Sequence, residues 1–198
     1  MRAFLGLLLA AALGAALWWR RNPSACPYSQ RFWIEVPHPL ITRRRLLEIL
    51  EPAEGERLLE VGPGTGYYTL EVAPRVERLE IFDLQQEMLD HTMRRAREAG
   101  LGNVWPTQGD AQALPYEEAS FDGAYLTTVL GEIPDQQAAL DELARVLKPG
   151  GRLVVGEIAL DPHFVRGSLL RERAERAGLR FERQVGGSLA YFARLEKL

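Results

Sequence analysis

The residues best suited to chemistry lie in one short segment, LLEVGPGTGYYT, at positions 58–69. An apolar run contains the acid Glu60, and glycines follow at every second position, at Gly62, Gly64 and Gly66. Glycine accepts positive φ angles and lets backbone N–H groups approach a ligand, because no Cβ intervenes. A strand, a glycine-rich loop and a helix in this order are typical of a nucleotide-cofactor site in an α/β protein.

The spacing of the glycines distinguishes between cofactors. A dinucleotide fingerprint, G-x-G-x-x-G, needs its third glycine at position 67, where this chain has Tyr67. The observed pattern, E-x-G-x-G-x-G, resembles motif I of the class I S-adenosylmethionine-dependent methyltransferases, whose loop wraps the amino-acid and ribose part of the cofactor. The resemblance implies S-adenosyl-L-methionine as the cofactor. The contacts expected from this segment are Glu60, Gly62, Pro63, Gly64 and Gly66, with Glu60 reaching the ammonium group or ordering the loop.

A second candidate contact follows the second predicted strand, at the edge where a doubly wound sheet binds its ligand. Asp83 stands seventeen residues after Gly66, and a carboxylate there can accept hydrogen bonds from both ribose hydroxyls of an adenosine. The alternative is that Asp83 caps the helix that follows, and the two roles are compatible. We expect Leu84 to pack against the adenine face.

Two further contacts are expected after the third and fourth strands. The string QGDAQALPYEEASFD resembles the family's adenine-binding segment, which implies that Asp110 accepts a hydrogen bond from the adenine amino group and that the Ala111 N–H meets the ring. A surface turn is the alternative for Asp110. Thr127 is expected to border the methyl-transfer side of the site.

No catalytic residue is assigned. Many small-molecule members of the family carry a histidine-rich string before Ile-Pro-Asp, whereas this chain has Gly131-Glu132 there. Glu132 can act as a base or attract a cationic amine, but we prefer to interpret it as a solvent-exposed residue that leads into a helix. Methyl transfer from a sulfonium depends mostly on in-line positioning, so a strict base is not required. The single cysteine, Cys26, excludes a cysteine metal cluster, and no metal site is predicted.

Predicted strands and helices alternate from residue 56 onward, which indicates a doubly wound α/β fold with a parallel sheet. The last two strands are separated by a few residues around Gly186-Gly187, so they form an antiparallel hairpin. A sheet with this ending is the seven-stranded, Rossmann-like arrangement of the class I methyltransferases, and LKPGG at 147–151 is expected to turn into strand five. The resemblance covers residues 40–198. The predicted strands are 57–61, 78–82, 103–107, 123–126, 152–158, 180–185 and 189–196, and the predicted helices are 67–74, 85–99, 136–147 and 162–177.

The N-terminus has a different composition. Residues 3–19 carry no charge and are followed by Arg20-Arg21. As a helix they would span about 25 Å, the short end of what a bilayer core requires. We interpret residues 1–21 as a single-pass membrane-anchor helix, with a cleaved signal peptide or a helix packed on protein as alternatives. The excess of arginine after the apolar run places the remaining domain on the cytoplasmic side.

The domain organisation follows from these segments. Residues 22–40 are a linker rich in proline and aromatic residues that can act as a lid, and residues 41–198 are the methyltransferase domain. Residues 1–50 have a net charge of +5 within a total of −3, so the remainder is acidic, which argues against nucleic acid as a partner. The sequence does not indicate an oligomeric state.

The expected activity is methyl transfer from S-adenosyl-L-methionine to a small-molecule or lipid substrate. Anchoring favours a lipophilic or membrane-associated acceptor, such as a lipid or a quinone precursor, and the resemblance is to the ubiquinone/menaquinone-type group. Two alternatives remain: a nicotinamide-dependent oxidoreductase, and a non-catalytic, membrane-tethered protein that binds the cofactor.

Overall fold

The computed structural model describes residue 14 and residues 22–32 and 39–198. Most of the predicted anchor, at 1–13 and 15–21, and part of the predicted linker, at 33–38, lie outside the described residues. Within the described ranges, no helix is both long and apolar enough to cross a bilayer.

The domain is built on one seven-stranded sheet with the strand order β3-β2-β1-β4-β5-β7-β6. The first five strands pair in parallel, and β7 is antiparallel to both β5 and β6. This arrangement confirms the predicted parallel sheet with an antiparallel hairpin at its end. The strands are β1 (Arg57–Val61), β2 (Arg78–Asp83), β3 (Val104–Gln108), β4 (Phe121–Thr127), β5 (Leu147–Ile158), β6 (Leu179–Gly187) and β7 (Ala190–Lys197).

Helices cover both faces of the sheet. Buried side chains of α1, α2 and α3 pack on one face, and those of α4 and α5 pack on the other. The N-termini of α1 and α4 are capped by side chains, because Thr42 accepts from the Arg45 N–H and Asp135 accepts from the Gln137 and Ala138 N–H groups. The helices are α1 (Arg43–Leu50), α2 (Thr69–Val72), α3 (Gln86–Glu98), α4 (Gln136–Val146) and α5 (Gly167–Arg176).

Two local predictions were wrong. The LKPGG segment is not a turn that precedes strand five, because β5 begins at Leu147 and pairs with Phe121 before a register shift in β4. Gly150 and Gly151 therefore form an irregularity within the strand, with Gly150 at φ +74°. The helix predicted at 162–177 begins only at Gly167, since residues 159–166 form a loop that carries Asp161 and His163.

The topology leaves a crevice at the carboxyl ends of β1 and β4. From β1 the chain proceeds outward to β2 and β3, and it then returns to place β4 on the other side of β1. The loops that leave β1 and β4 therefore diverge, which is where doubly wound sheets bind their ligands. All candidate residues predicted from the sequence lie at this edge.

Candidate functional site

The glycine loop after β1 has a backbone that requires its glycines. Gly62, Gly64 and Gly66 have φ angles of +69°, +56° and +79°. A Cβ on Gly62 would lie 2.3 Å from Cγ2 of Val129, in the loop after β4. The Gly62 N–H donates to the carbonyl of Phe82 in β2 over 2.8 Å, so the loop starts from a fixed point of the sheet. Any side chain at position 62 would therefore separate the two loops that border the crevice.

Helix α3 holds the far side of the glycine loop. The Thr92 hydroxyl donates to the Gly64 carbonyl over 3.0 Å, and the Arg95 guanidinium donates to the Thr65 carbonyl over 2.6 Å. A Cβ on Gly66 would lie 3.0 Å from Cγ2 of Thr92. The side chains of α3 thus hold the glycine loop by its backbone carbonyl groups.

Glu60 lies at the end of β1 and is buried beneath the loop. Its Oε2 accepts a hydrogen bond from the Thr69 hydroxyl at the start of α2, over 2.5 Å. Burial raises the pKa of Glu60 to about 7, and the nearby charge of Asp83 acts in the same direction. The buried Tyr125 hydroxyl interacts electrostatically with this carboxyl and has no hydrogen-bond partner of acceptable geometry in the part of the chain described. The carboxyl thus links the two ends of the loop.

Asp83 ends β2 beside the glycine loop. Its Oδ1 accepts from the Gln85 N–H over 2.8 Å, which organises the turn into α3, although the N-cap position itself is occupied by Gln85. Burial raises the pKa of Asp83 to about 6. Leu84 is 57% exposed beside it, which is unusual for a leucine and leaves an apolar surface next to the carboxylate. A carboxylate and an exposed apolar side chain therefore lie next to each other at the end of β2.

Asp110 lies in the loop after β3 and is exposed. The neighbouring Gly109 N–H donates to the Asp83 carbonyl over 3.0 Å, so the Asp83 and Asp110 loops are joined. Both carboxylate oxygens of Asp110 accept from the Gln112 side chain, and Oδ1 also accepts from the Gln112 N–H. The structure therefore shows the turn that was the alternative for Asp110, at a place that still borders the crevice. Ala111 is buried next to it.

The end of β4 is strained. Thr128 has φ +56°, a conformation that costs a non-glycine residue about 1–3 kcal/mol, and its N–H donates to the Gly156 carbonyl over 2.8 Å. The Thr127 hydroxyl is buried without a hydrogen-bond partner among the described residues. Such strain and an unpaired hydroxyl are common at functional sites, and they coincide with the predicted methyl-transfer side.

Glu132 is not the solvent-exposed residue that we preferred from the sequence. It is partly buried, and its Oε2 accepts from the Cys26 backbone N–H over 3.2 Å. Burial raises the pKa of Glu132 to about 8, and the charges of Asp161 and Asp83 act in the same direction. The sequence did not reveal this environment because its cover comes from residues more than a hundred positions earlier.

The described part of the linker, residues 22–32, lies across the crevice. The Gln85 amide donates to the Cys26 carbonyl over 2.9 Å and its Oε1 accepts from the Tyr28 N–H over 3.0 Å. The Tyr28 hydroxyl contacts Nδ1 of His91 at 3.2 Å. The segment thus bridges the loops after β2 and β4. Sequence reasoning missed Gln85, whose only signal was its position two residues after Asp83.

Comparisons with known proteins agree with this geometry. Residues 59–155 match the model of a family described as "Methyltransferase domain". A demethylmenaquinone methyltransferase of Corynebacterium efficiens is 36% identical over 132 residues, which are 67% of this chain and 54% of that protein. An O-methyltransferase of Pyrenophora dematioidea is 34% identical over 142 residues, which are 66% of this chain and 52% of that protein. The chain spans about half the length of these curated relatives.

Solved structures show the same fold. A SAM-dependent methyltransferase from Aquifex aeolicus has a TM-score of 0.79 at 20% identity, covering 88% of this chain and all (100%) of that one. The [4+2]-cyclase SpnF has a TM-score of 0.71 at 22% identity, covering 78% of this chain and 79% of that one. At these identities the likeness concerns the fold alone. The family match and the curated relatives therefore show that residues 59–155 are similar to a methyltransferase domain, and together with the solved structures they support S-adenosyl-L-methionine as the cofactor.

Proposed function

We propose that this protein is a methyltransferase that transfers the methyl group of S-adenosyl-L-methionine to a small, lipophilic or membrane-associated acceptor. The observation that carries the proposal is the joined set of loops around the crevice, in which the glycine loop, Asp83 and the strained end of β4 face one another. A fold of this kind serves many reactions, so the argument depends on these residues.

The cofactor contacts are assigned by chemistry. The second oxygen of Asp83 suits the ribose hydroxyls, since Oδ1 already accepts from the backbone, and the exposed Leu84 suits one face of the adenine. Asp110 and the Ala111 N–H are proposed to meet the adenine edge once the Gln112 side chain releases one oxygen of the Asp110 carboxylate. The glycine loop supplies backbone N–H groups for the amino-acid end of the cofactor. The donor and acceptor types therefore fit S-adenosyl-L-methionine.

Glu60 acts from beneath the loop. Its Oε2 accepts a hydrogen bond from the Thr69 hydroxyl, so its first role is to order the loop. Above its pKa the carboxyl is negatively charged, and this charge also favours the ammonium group of the cofactor. Thr127 borders the methyl-transfer side, where its unpaired hydroxyl can receive a hydrogen bond or donate one.

Residues 22–40 are proposed as a lid. The contacts of Cys26 and Tyr28 with Gln85, together with the Cys26 N–H on Glu132, hold the described part of this segment over the crevice. A cover of this kind excludes water from the methyl group and positions the acceptor.

A membrane surface is the proposed partner, on the cytoplasmic side, through the apolar segment 1–21. Two loop tips at the carboxyl edge of the sheet add support, because Leu160 is 87% exposed and Leu189 is 67% exposed. The Ala159 N–H donates to the Leu189 carbonyl over 2.7 Å, which places the two tips together. Exposed leucines beside a crevice suit an acceptor that is taken from a bilayer. Two curated relatives are named for quinones: one is a demethylmenaquinone methyltransferase, and the other is a C-methyltransferase of ubiquinone/menaquinone biosynthesis.

The membrane proposal is tested with the full chain and phospholipid vesicles. Wild-type protein is expected to float with the vesicles in a density gradient. The double variant Leu160→Asp/Leu189→Asp is expected to bind them more weakly while it keeps its affinity for S-adenosylmethionine. Vesicle binding that is equal in both proteins would remove the loop tips from the proposal, and wild-type protein that stays in solution would overturn it.

The activity is tested with S-adenosylmethionine labelled in the methyl group and a total extract of the host, partitioned between water and organic solvent. Label that enters the organic phase supports a lipophilic acceptor. Label that enters only water-soluble products would overturn the lipophilic assignment in favour of soluble acceptors. If the protein binds the cofactor but moves no label, the non-catalytic alternative replaces the proposed function.

A further inference from the structure

A pair of acidic side chains lies at the carboxyl ends of β4 and β5 and has no role in the cofactor contacts above. Glu157 is one residue before the end of β5 and is 1% exposed. Glu132 follows β4, and the charges of Glu132 and Glu157 interact. Both glutamates adjoin the loop 159–166, because the Val165 N–H donates to Glu157 and a Cβ on Gly131, next to Glu132, would lie 1.9 Å from the His163 carbonyl oxygen. The loop 159–166 therefore packs directly against the turn that carries Glu132.

The hydrogen bonds within this region leave specific atoms unpaired. Glu157 Oε2 accepts from the Val165 N–H over 3.2 Å, but Oε1 is buried without a partner in the described ranges. The Thr127 hydroxyl is also buried and unpaired among the described residues, but Thr127 pairs in register with Gly156 and therefore lies on the opposite face of the sheet from Glu157. Glu132 accepts one backbone hydrogen bond, from Cys26. A buried polar atom without a partner costs about 1–3 kcal/mol and is therefore evidence for a ligand or a function.

The charged and titratable groups that face the pair are mostly acidic. Asp161 of the 159–166 loop acts on both glutamates, and Asp83 acts on Glu132. Tyr191 of β7 interacts with Glu157. Cys26 contacts Glu132 through the linker, and the backbone of His163 packs against the Glu132 turn.

This environment keeps protons on the pair near neutral pH. Burial is the main cause that raises the pKa of each glutamate to about 8, and the neighbouring carboxylates contribute to this rise in the same direction. Because the two groups interact, protons leave them in linked steps. A base with a pKa near the working pH is matched to proton transfer from a weak acid such as a phenol.

We propose that Glu132 is a catalytic base, that Glu157 positions and tunes it, and that the acceptor is a hydroxyl compound of the phenol or enol class. The proposal rests on the proposed function and names the substrate class. As the acceptor oxygen forms its bond to the methyl carbon, the bond from that carbon to sulfur breaks and its electron pair stays on sulfur. The hydroxyl proton passes to the ionised carboxylate of Glu132, so charge and atoms balance.

The first test measures transfer of labelled methyl to the host extract as a function of pH, with calorimetric binding of S-adenosylmethionine measured beside it. The wild-type rate is expected to rise with pH and level off above about 8. Glu132→Gln is expected to lower the plateau about 100-fold, as loss of a general base does, while the cofactor affinity changes less than about 3-fold. The matched control is Glu98→Gln, on the exposed surface of α3, which is expected to leave both unchanged.

The second test does not use activity. Glutamate carboxyls labelled with carbon-13 are titrated by NMR in wild type, Glu132→Gln and Glu157→Gln. Two linked titrations at high pH are expected in wild type. Apart from the titration of Glu60, which is common to all three proteins, a single raised titration is expected in each variant. In Glu157→Gln this titration is expected to lie lower than in wild type, and the midpoint of the pH–rate profile is expected to fall with it.

The outcomes separate the two claims. If wild-type protein transfers label and Glu132→Gln keeps the rate, the base assignment is overturned and the proposed function stands. The role of Glu157 is overturned if Glu157→Gln changes neither the midpoint of the pH–rate profile nor the titration of Glu132. Label found only on amines would overturn the substrate class. Wild-type protein that transfers no label at all would overturn the proposed function, and the inference with it.

Discussion

At the scale of single residues, the backbone of the glycine loop is the most demanding feature of the site. Gly62 combines a positive φ with a hypothetical Cβ only 2.3 Å from Val129, so both conformation and contact exclude a side chain. Gly55 has a positive φ of +87° but no atom within 4 Å of its hypothetical Cβ. The two glycines thus separate the cost of the conformation from the cost of the contact.

We predict that Gly62→Ala lowers the free energy of unfolding by about 2–4 kcal/mol, whereas Gly55→Ala lowers it by about 1 kcal/mol. The difference arises because only the first methyl group pushes the β4 loop aside. Urea denaturation measures both values, and Gly62→Ala/Val129→Ala should recover part of the larger loss. Equal losses in the two single variants would show that the contact with Val129 is unimportant.

The residues of the glycine loop and Asp83 could be placed from the sequence because their spacing is local. Their neighbours could not. Glu132 is covered by Cys26, and this contact between distant residues has no signature in the spacing, whereas the turn in which Gln112 holds Asp110 is local and was the stated alternative for that residue. The sequence therefore predicted where these residues lie along the sheet edge but not what each one touches.

At the scale of elements, the segment 22–32 connects the loops on either side of the crevice. Gln85 provides the main link, since its side chain bonds to both Cys26 and Tyr28. Gln86 is its natural control, because among the described residues its side-chain amide donates within its own helix, to Asp90 over 2.8 Å.

The strands could be predicted from the sequence because their apolar runs are short and are bounded by turn residues. The start of α5 was not predicted correctly, since Pro162 is as typical of a loop as of a first helical turn.

We predict that Gln85→Ala loosens the segment and that Gln86→Ala does not. Loss of two hydrogen bonds should make residues 22–32 more sensitive to limited proteolysis and weaken S-adenosylmethionine binding about 3- to 10-fold, mainly through faster release. Mass spectrometry of the cleavage products and stopped-flow release kinetics provide the two readouts. Unchanged cleavage and release in Gln85→Ala would contradict a covering role for the segment.

At the scale of the whole molecule, the domain contains several buried acids with raised pKa values, including Glu60, Asp83, Glu132 and Glu157. In the folded state these groups keep protons that the unfolded chain loses above about pH 4–5. Folding therefore takes up protons between that range and about pH 8, and the free energy of unfolding must fall as the pH rises through this window. The acids paired with arginine or lysine, such as Glu56 and Asp122, have lowered pKa values. They make the free energy of unfolding rise with pH, but only at lower pH, below the window in which the buried acids titrate.

We predict that the wild-type domain is less stable at pH 8.5 than at pH 5.5. Glu157→Gln should remove a substantial part of this slope, because the amide cannot ionise, and each unit of pKa difference corresponds to about 1.4 kcal/mol. Chemical denaturation at a series of pH values measures the slope, and Glu98→Gln is again the exposed control. A stability that rises steadily from pH 5.5 to 8.5 would show that these carboxyls are ionised in the folded protein.

The central claim is that the crevice binds S-adenosyl-L-methionine through the glycine loop and Asp83. The most direct measurement is a calorimetric titration of the full chain with S-adenosylmethionine, S-adenosylhomocysteine and NAD. We expect S-adenosylmethionine and S-adenosylhomocysteine to bind and NAD not to bind. Asp83→Ala should weaken the binding of S-adenosylmethionine at least about 100-fold, whereas Asp90→Ala, on the exposed face of α3, should leave it unchanged. Retained affinity in Asp83→Ala would contradict the ribose assignment, and preferential binding of NAD would contradict the account of the site as a whole.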